Sequence, residues 1–426
     1  MITSADAIAR AALTVKRSGS PGPAPTSSTG KMGGKSVIPI KFSQTQILAQ
    51  FKERQIGLAF RQVHLSIVNI KWNYGRIQMA DQNSLQSRQG RIIAWWLFAV
   101  AFMVFVMVVL GGLTRLTHSG LSMVEWRPIT GWLPPFSDTE WMRVFEKYQS
   151  FPEFQKVNVD MTVTEFKGIF WLEFLHRLWG RLIGLAFFLP FVFFLTKGWI
   201  RGSQITILLG LFVLGGMQGG MGWFMVKSGL VDRPDVSQYR LAAHLILAFI
   251  IYASLLWCGL NFWGAKQSKN KALLELRRLS WGLVTLVFIT TFSGALVAGL
   301  DAGMSYNTFP LMDGDLIPDG LFEQSPAYIN FFENPITVQF DHRVLAIISF
   351  CMVIYFWFLA QSIVGNEAPM GPIHWLFAAI CGQVMLGIST LILVVPVTLG
   401  ALHQAGALIV LSLAGFVFTS LSCSPA

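Results

Sequence analysis

Eight stretches of apolar residues run along the chain, each long enough to cross a hydrocarbon core of roughly 30 Å as a helix. Polar segments separate them, the longest being the first 90 residues and the loops at about 114–167 and 301–338. The apolar runs fall at about 92–113, 168–195, 205–226, 241–262, 280–300, 338–360, 373–395 and 399–420. This pattern predicts an all-α polytopic membrane protein with eight transmembrane helices.

Sequence motifs around these spans occur twice. GGLTRLTHSGLSM (111–123) aligns with GALVAGLDAGMSY (294–306), and EFLHRLWGRLIG (173–184) aligns with QFDHRVLAIISF (339–350). Because four spans return the chain to the same side, we expect two tandem, pseudo-symmetric four-helix bundles. The predicted division is an extension at 1–90, a first bundle at 91–262, a basic linker at 263–279 and a second bundle at 280–426.

Three local signals predict where the even-numbered spans begin. Thr162-x-x-Glu165 is typical of a capping box before the second span. Asn334 followed by Pro335 predicts an N-cap with proline at the first helical position of the sixth. Thr398 is a candidate cap for the eighth span.

A histidine stands near the same end of each even-numbered span. A titratable ring in an apolar segment is costly, and neutral imidazole is a common ligand of haem iron. A lone histidine of this kind is more often an interhelical hydrogen-bonding group, but four at matched depth in a duplicated frame favour ligation. We therefore predict two bis-histidine haem sites, formed by His176 with His244 and by His342 with His403.

The other histidines and the cysteines lie outside this frame. His64, His118 and His374 are interpreted as ordinary polar residues. The chain has four cysteines but no CxxC and no CxxCH, so neither a zinc cluster nor covalently attached haem is expected.

Glu173 is a candidate catalytic residue because it lies three positions before His176, on the same helix face. A carboxylate there could take up a proton during an oxidation. The alternative is an ion pair with Arg177, four positions along the helix. The second half has Gln339 at the equivalent position, which cannot titrate, so we expect a reactive first bundle and a cofactor-holding second bundle.

Further polar residues lie near the histidines. Gln218 and Gln383 occupy equivalent positions and are interpreted as interhelical hydrogen-bonding groups. Arginine offers forked donors to haem propionates, although reaching to the membrane interface is the alternative for each such residue. The candidate propionate partners are Arg177, Arg181, Arg240 and Arg343.

Composition agrees with a membrane protein, since 53% of the residues are hydrophobic and 13% are charged. The net charge of +10 is concentrated at the N-terminus, where residues 1–90 hold twelve basic and three acidic residues. We therefore infer no nucleic-acid surface. The Arg-bearing, Ser-rich, acid-poor start is typical of an organelle transit peptide, with a retained basic tail as the alternative. Because 301–338 holds no Lys or Arg, the positive-inside rule places both termini inside and the histidine ends outside.

These motifs, together with QYRLAAHL and TLGALHQAG, resemble the haem A synthase family, most closely its mitochondrial type, the Cox15/CtaA family. The resemblance covers about residues 90–420. It implies oxidation of the C8 methyl of haem O to a formyl group by successive hydroxylations, giving haem A for cytochrome c oxidase. It also implies that His176 and His244 serve the substrate haem, that His342 and His403 ligate haem b, and that Glu173 matches the family's essential glutamate.

The resemblance also implies a setting. The chain is expected in the mitochondrial inner membrane, with its termini in the matrix and its haem-ligand ends toward the intermembrane space. Haem O synthase is expected as substrate donor and a ferredoxin-like protein as electron partner. Separately from the resemblance, the pairs Gly215-Gly216 and Gly219-Gly220 would suit close helix contact, either within the chain or between chains of a homo-oligomer. Many bacterial relatives carry a cysteine pair in the first outer loop, but 114–167 has no cysteine, so a thiol role is not transferred.

Two other functions fit the composition and the histidines. One is a b-type electron-transfer cytochrome that leaves haem unmodified, and the other is a non-catalytic haem carrier or oxidase assembly factor. The presence of Glu173 in one half only disfavours the first of these.

Overall fold

Eight long helices dominate the computed structural model, which describes residues 88–127, 130–229, 236–264, 271–364 and 370–421. They are α1 (Arg88–Leu116), α2 (Val163–Thr196), α3 (Ser203–Gly229), α4 (Gln238–Trp263), α5 (Lys271–Gly299), α6 (Pro335–Val364), α7 (Met370–Ile392) and α8 (Val397–Ser420). All eight are long and apolar enough to cross a membrane. Across the described ranges no β-strand forms, so the predicted all-α polytopic fold is confirmed. The predicted transit peptide lies outside the described residues.

Two of the predicted helix starts are confirmed by their hydrogen bonds. Thr162 accepts a hydrogen bond from the backbone N–H of Glu165, and the Glu165 carboxylate accepts one from the backbone N–H of Thr162 at 2.8 Å. The Asn334 side-chain oxygen accepts from the backbone N–H of Ile336 at 2.9 Å, with Pro335 as the first residue of α6. Short polar side chains therefore satisfy backbone donors that the first helical turn leaves free.

Three predicted boundaries are wrong. α7 ends at Ile392 rather than 395, because Val394 and Val395 adopt left-handed φ angles of 60° and 54° before Pro396. Thr398 is not a cap, since α8 already begins at Val397 with Pro396 before it. The third boundary, the start of α5, lies at Lys271 rather than 280, so the second half of the predicted linker is helical. Leu273 and Leu276, at helical spacing, are buried there in the core.

The helices close into two rings. In the first ring α1 and α3 each pack against both α2 and α4, and in the second α5 and α7 each pack against both α6 and α8. The rings meet where α1 packs against α8 and α4 packs against both α5 and α8. Phe249, Leu255 and Leu408 are among the fully buried side chains of this core. The pseudo-symmetry of two tandem bundles stays a prediction.

Both long loops lie at one face of the molecule, where odd-numbered helices end and even-numbered helices begin. The loop after α1 carries two short helices, Asp138–Gln149 and Pro152–Lys156, and buries Trp141, Phe145 and Tyr148 against the start of α2. The loop after α5 contains the short segments Ala302–Met304, Ala327–Ile329 and Asn330–Glu333. The histidines all lie near this face, because each is within about the first four turns of its helix.

Candidate functional site

Each of the four candidate histidine rings lies against a glycine of the preceding helix. A Cβ atom added at the glycine would approach the ring Cε1 to 3.3 Å or less, which leaves no room for a larger residue. The pairs and their distances are Gly111 with His176 at 3.0 Å, Gly222 with His244 at 3.3 Å, Gly294 with His342 at 2.9 Å and Gly387 with His403 at 2.8 Å. The same glycine–histidine contact is therefore built four times, between consecutive helices.

His176 lies within electrostatic range of His244, and His342 lies within range of His403. These are the pairs that the sequence predicts, and their binding of haem iron stays a prediction. Each pair joins two even-numbered helices of one ring of four, α2 with α4 and α6 with α8.

Three of the four imidazoles, those of His176, His244 and His342, have a buried Nδ1 atom that makes no hydrogen bond of acceptable geometry. The His176 imidazole lies beside the backbone of Leu110, and the His342 imidazole lies beside that of Thr290. A buried polar atom of this kind costs free energy unless something binds it. Among the described residues no group of three or more His, Cys, Asp or Glu side chains could hold a bare metal ion. Two imidazoles with free nitrogens suit a metal that brings its other ligands with it, as haem iron does.

The two equivalent glutamines bind the histidine helices as predicted. Gln218 on α3 donates to the backbone carbonyl of His244 at 3.1 Å, and Gln383 on α7 donates to that of His403 at 2.8 Å. The Gln383 amide nitrogen also lies 3.2 Å from Nδ1 of His403. These hydrogen bonds fix α3 to α4 and α7 to α8 beside the imidazole rings.

Glu173 is buried, with 3% of its surface exposed, and donors surround its carboxylate. Oε2 accepts from the Ser122 hydroxyl at 2.7 Å and from the backbone N–H of Met123 at 2.6 Å. Oε1 accepts from the Arg177 guanidinium at 2.5 Å. The ion pair considered for Glu173 and Arg177 therefore forms, and it is one part of a larger set of hydrogen-bond donors around the carboxylate.

Arg177 also holds the loop that follows α1. Its guanidinium donates to the backbone carbonyls of Met123 at 2.8 Å and Glu125 at 3.0 Å and lies 5.2 Å from the centre of the Trp126 ring. Glu125 in turn pairs with Lys147 and Arg127, and the hydrogen bond from Lys147 is the main cause that lowers the pKa of Glu125 below its usual value. The segment 122–127 is thus fixed against the part of α2 that carries Glu173 and Arg177.

In the second half an arginine again binds the backbone of the loop that precedes its helix. The hydrogen bond between that loop and the residue equivalent to Glu173 runs in the opposite direction. Arg343 donates to the carbonyls of Tyr306 at 2.8 Å and Thr308 at 2.9 Å. Gln339, where the first half has Glu173, donates to the carbonyl of Tyr306 at 3.0 Å. Tyr306 is the counterpart of Met123, whose N–H donates to Glu173. The first half therefore holds an anion where the second holds a neutral amide.

The other two candidate arginines make different contacts. Arg181 donates to the carbonyl of Arg127 at 2.8 Å and lies over the ring of Trp132, and Arg240 lies 4.6 Å from the centre of the Phe224 ring. Binding of propionates by any of the four arginines stays a prediction.

The remaining singled-out residues contribute little to the site. His118 has a left-handed φ of 51°, matched by 50° at the aligned Asp301, and His374 accepts a hydrogen bond from the Trp357 indole. A Cβ at any of the four glycines of the α3 pairs would meet nothing within 4 Å, so these pairs make no close helix contact within the described chain. Of the cysteines, Cys258, Cys351 and Cys381 are free thiols. His64 and Cys423 lie outside the described residues.

Sequence reasoning missed the four glycines and the loop donors of Glu173. A signal for the glycines existed, because Gly111 and Gly294 open the two aligned motifs, and Gly222 and Gly387 each follow the equivalent glutamines by four positions. No local pattern pointed to Ser122, whose contact with Glu173 spans 51 positions in the chain.

Comparison with known proteins gives matches over most of the chain. The family model COX15-CtaA, described as cytochrome oxidase assembly protein, matches residues 94–414. The chain is 52% identical over 327 residues to the heme A synthase of Nitrosospira multiformis, covering 76% of this chain and 92% of that one. It is 49% identical over 347 residues to the heme A synthase of Parvibaculum lavamentivorans, covering 82% and 97%. It is also 47% identical over 343 residues to the heme A synthase COX15 of Bos taurus, covering 79% and 83%.

Proposed function

Because this chain belongs to the COX15-CtaA family of cytochrome oxidase assembly proteins, we propose that it is an oxidoreductase that converts the C8 methyl of haem O to a formyl group. Its relatives at about half identity are named heme A synthase, and the chain functions as a haem A synthase. The reaction proceeds by successive hydroxylations, each of which adds an oxygen derived from water and removes electrons and protons. The product, haem A, serves cytochrome c oxidase.

The first ring of helices, α1–α4, holds the substrate. His176 on α2 lies within electrostatic range of His244 on α4, so two imidazoles of this ring of helices are near one another. Gly111 and Gly222 leave room for the edges of the two imidazoles beside the neighbouring helices. These features support His176 and His244 as the residues that would hold the iron of haem O.

The second ring, α5–α8, holds haem b between His342 and His403. The electrostatic proximity of His342 to His403 and the hydrogen bonds of Gln383 to His403 support this assignment. When bound there, haem b would supply a relay for the electrons removed from the substrate. Gln339 and Arg343 close this ring with neutral and cationic donors, and no titratable carboxylate stands where Glu173 stands in the first ring.

One observation carries the assignment of chemistry, namely the buried carboxylate of Glu173 three residues before His176. Glu173 accepts hydrogen bonds from Ser122, Met123 and Arg177, which hold the carboxylate in one place. A charged carboxylate takes up a proton from water as the oxygen attacks. Arg177 keeps the loop closed over the site through its bonds to backbone carbonyls, and this limits the entry of other water.

We also propose the setting of the enzyme. The multi-pass chain lies in the mitochondrial inner membrane with its termini in the matrix, supported by the basic leader and by the absence of Lys and Arg from 301–338. Arg177, Arg181, Arg240 and Arg343, which lie on the same helices as the histidines, would be the residues to bind the propionates of a haem held there. Haem O synthase delivers the substrate, and a ferredoxin-like protein exchanges electrons.

The test replaces Glu173 with Gln in protein produced together with a source of haem O, followed by mass spectrometry of the extracted haems. Glu173→Gln is expected to keep both haems bound while haem A falls and haem O or a hydroxylated intermediate accumulates. Glu165→Gln is the matched control, since Glu165 is an exposed glutamate at the start of the same helix. Wild-type protein that binds b-type haem and returns only haem O would instead identify an electron-transfer cytochrome. A wild-type amount of haem A in Glu173→Gln would instead favour a non-catalytic haem carrier or assembly factor.

A further inference from the structure

Ser122 lies at the centre of the contacts that hold Glu173. Its side chain is fully buried, and its hydroxyl lies 2.7 Å from Oε2 of Glu173. The same hydroxyl lies 3.0 Å from the backbone carbonyl of Ser119 and 3.4 Å from that of Ile169. It therefore stands between one carboxylate and two carbonyl oxygens.

The hydroxyl differs chemically from the other two groups that contact the carboxylate. The backbone N–H of Met123 and the guanidinium of Arg177 can only donate, so neither can accept a hydrogen bond from a protonated Glu173. A serine hydroxyl both donates and accepts. When Glu173 is charged, Ser122 donates to it. When Glu173 carries a proton on Oε2, Ser122 can accept that proton's hydrogen bond and turn its own O–H toward the carbonyl of Ser119.

We propose that Ser122 is a positioning residue for the proposed base, allowing Glu173 to take up a proton and release it again without leaving its place. This inference rests on the proposed function, because it requires Glu173 to handle protons during the oxidation. The proton passes from the attacking water to Oε2 and later to solvent, while Ser122 only redirects its own O–H bond.

The second ring provides a natural contrast. Its aligned serine, Ser305, is exposed, and the amide of Gln339 donates to the carbonyl of Tyr306 instead. A serine in the same motif is therefore engaged only where the neighbouring side chain can titrate. This difference argues against a purely structural role for the serine in the turn after α1.

Three variants test the proposal. Ser122→Ala removes the hydroxyl, Ser122→Thr retains it, and Ser119→Ala removes a buried hydroxyl of the same loop that bonds to Thr117 rather than to Glu173. Each variant is purified with its haems, the haem content is measured, and formation of hydroxylated haem and haem A is followed with haem O supplied. Retained haem content and thermal stability identify the variants that are folded.

Ser122→Ala is expected to lower turnover by roughly 10- to 100-fold, as for loss of a hydrogen bond to a charged group, with little change in the substrate concentration for half-maximal rate. Ser122→Thr should restore most of the rate, and Ser119→Ala should match the wild type. Equal rates for folded Ser122→Ala and Ser119→Ala would overturn the inference, even where Ser122→Thr fails to fold. If Glu173→Gln is fully active, the proposed function fails first.

Discussion

The glycine beside each histidine ring gives a sharp prediction about haem binding. Gly387 on α7 faces His403 on α8, and a Cβ in its place would lie 2.8 Å from Cε1 and 3.4 Å from Nδ1 of the ring. Carbon atoms in contact are normally about 3.5–4.0 Å apart. Gly387→Ala therefore pushes the imidazole, or the two helices, apart by about 1 Å.

The size of the effect follows from two opposing terms. Overpacking of a filled interior costs about 1–3 kcal/mol, whereas alanine in a helix gains about 1 kcal/mol over glycine. The gain in helix stability from alanine is the same whether or not haem is bound. The steric clash, in contrast, displaces the His403 imidazole that is proposed to bind iron. We expect haem b affinity to fall by roughly 5- to 150-fold, because each 1.4 kcal/mol is about a factor of ten.

The assay compares Gly387→Ala with Gly382→Ala, a substitution on the same helix at a glycine with nothing within 4 Å of its Cβ position. Both proteins are purified in detergent, their haem b content is measured from the pyridine haemochrome, and haem loss to excess apomyoglobin is timed. Gly382→Ala should behave as the wild type, and Gly387→Ala should contain less haem and lose it faster. Equal haem content and equal rates of loss would show that the ring does not bind haem where the glycine contact places it.

Two other predictions concern the contacts around the sites. Tyr252→Phe removes a 2.8 Å hydrogen bond between α4 and Ser412 on α8. It should lower the free energy of unfolding by about 0.6 kcal/mol, a typical value for an interhelical hydrogen bond, and this is measured as a small fall in unfolding temperature. An unchanged unfolding temperature would mean that the bond adds nothing to the contact between the two rings of helices. The pKa of Glu125 is lowered in the folded protein. Its pairing with Lys147 therefore stabilises the loop after α1 at pH values above the usual pKa of 4.5, and this stabilisation is lost as the pH falls through the lower pKa of the folded protein. Protease cleavage of this loop should therefore rise on acidification in the wild type and depend less on pH in Glu125→Gln, and identical pH profiles would contradict the pairing.

The fold followed from the sequence wherever the signal was local. Apolar length predicts all eight helices, and the pairs Thr162 with Glu165 and Asn334 with Pro335 predict two helix starts through bonds between neighbours in the chain. The early end of α7 was not predicted, because the backbone before Pro396 turns left-handed at two valines, which rarely adopt that conformation.

The candidate site was predictable only in part, because some of its contacts join residues that are far apart in the chain. Repetition identified the histidines and showed that Glu173 has an amide counterpart in Gln339. The partners of Glu173 come from a loop about 50 positions away, and their arrangement depends on how Arg177 draws that loop onto α2. Such contacts leave no periodic mark in a sequence.

The central claim is that paired imidazoles hold one iron porphyrin in each ring of helices. The most direct measurement is the haem content and identity of the purified protein after each of the four histidines is replaced by alanine in turn. Variants of His342 and His403 should lose haem b, while those of His176 and His244 should keep haem b but no longer retain haem O or haem A. A colourless wild-type protein, or haem spectra unchanged in all four variants, would contradict the account.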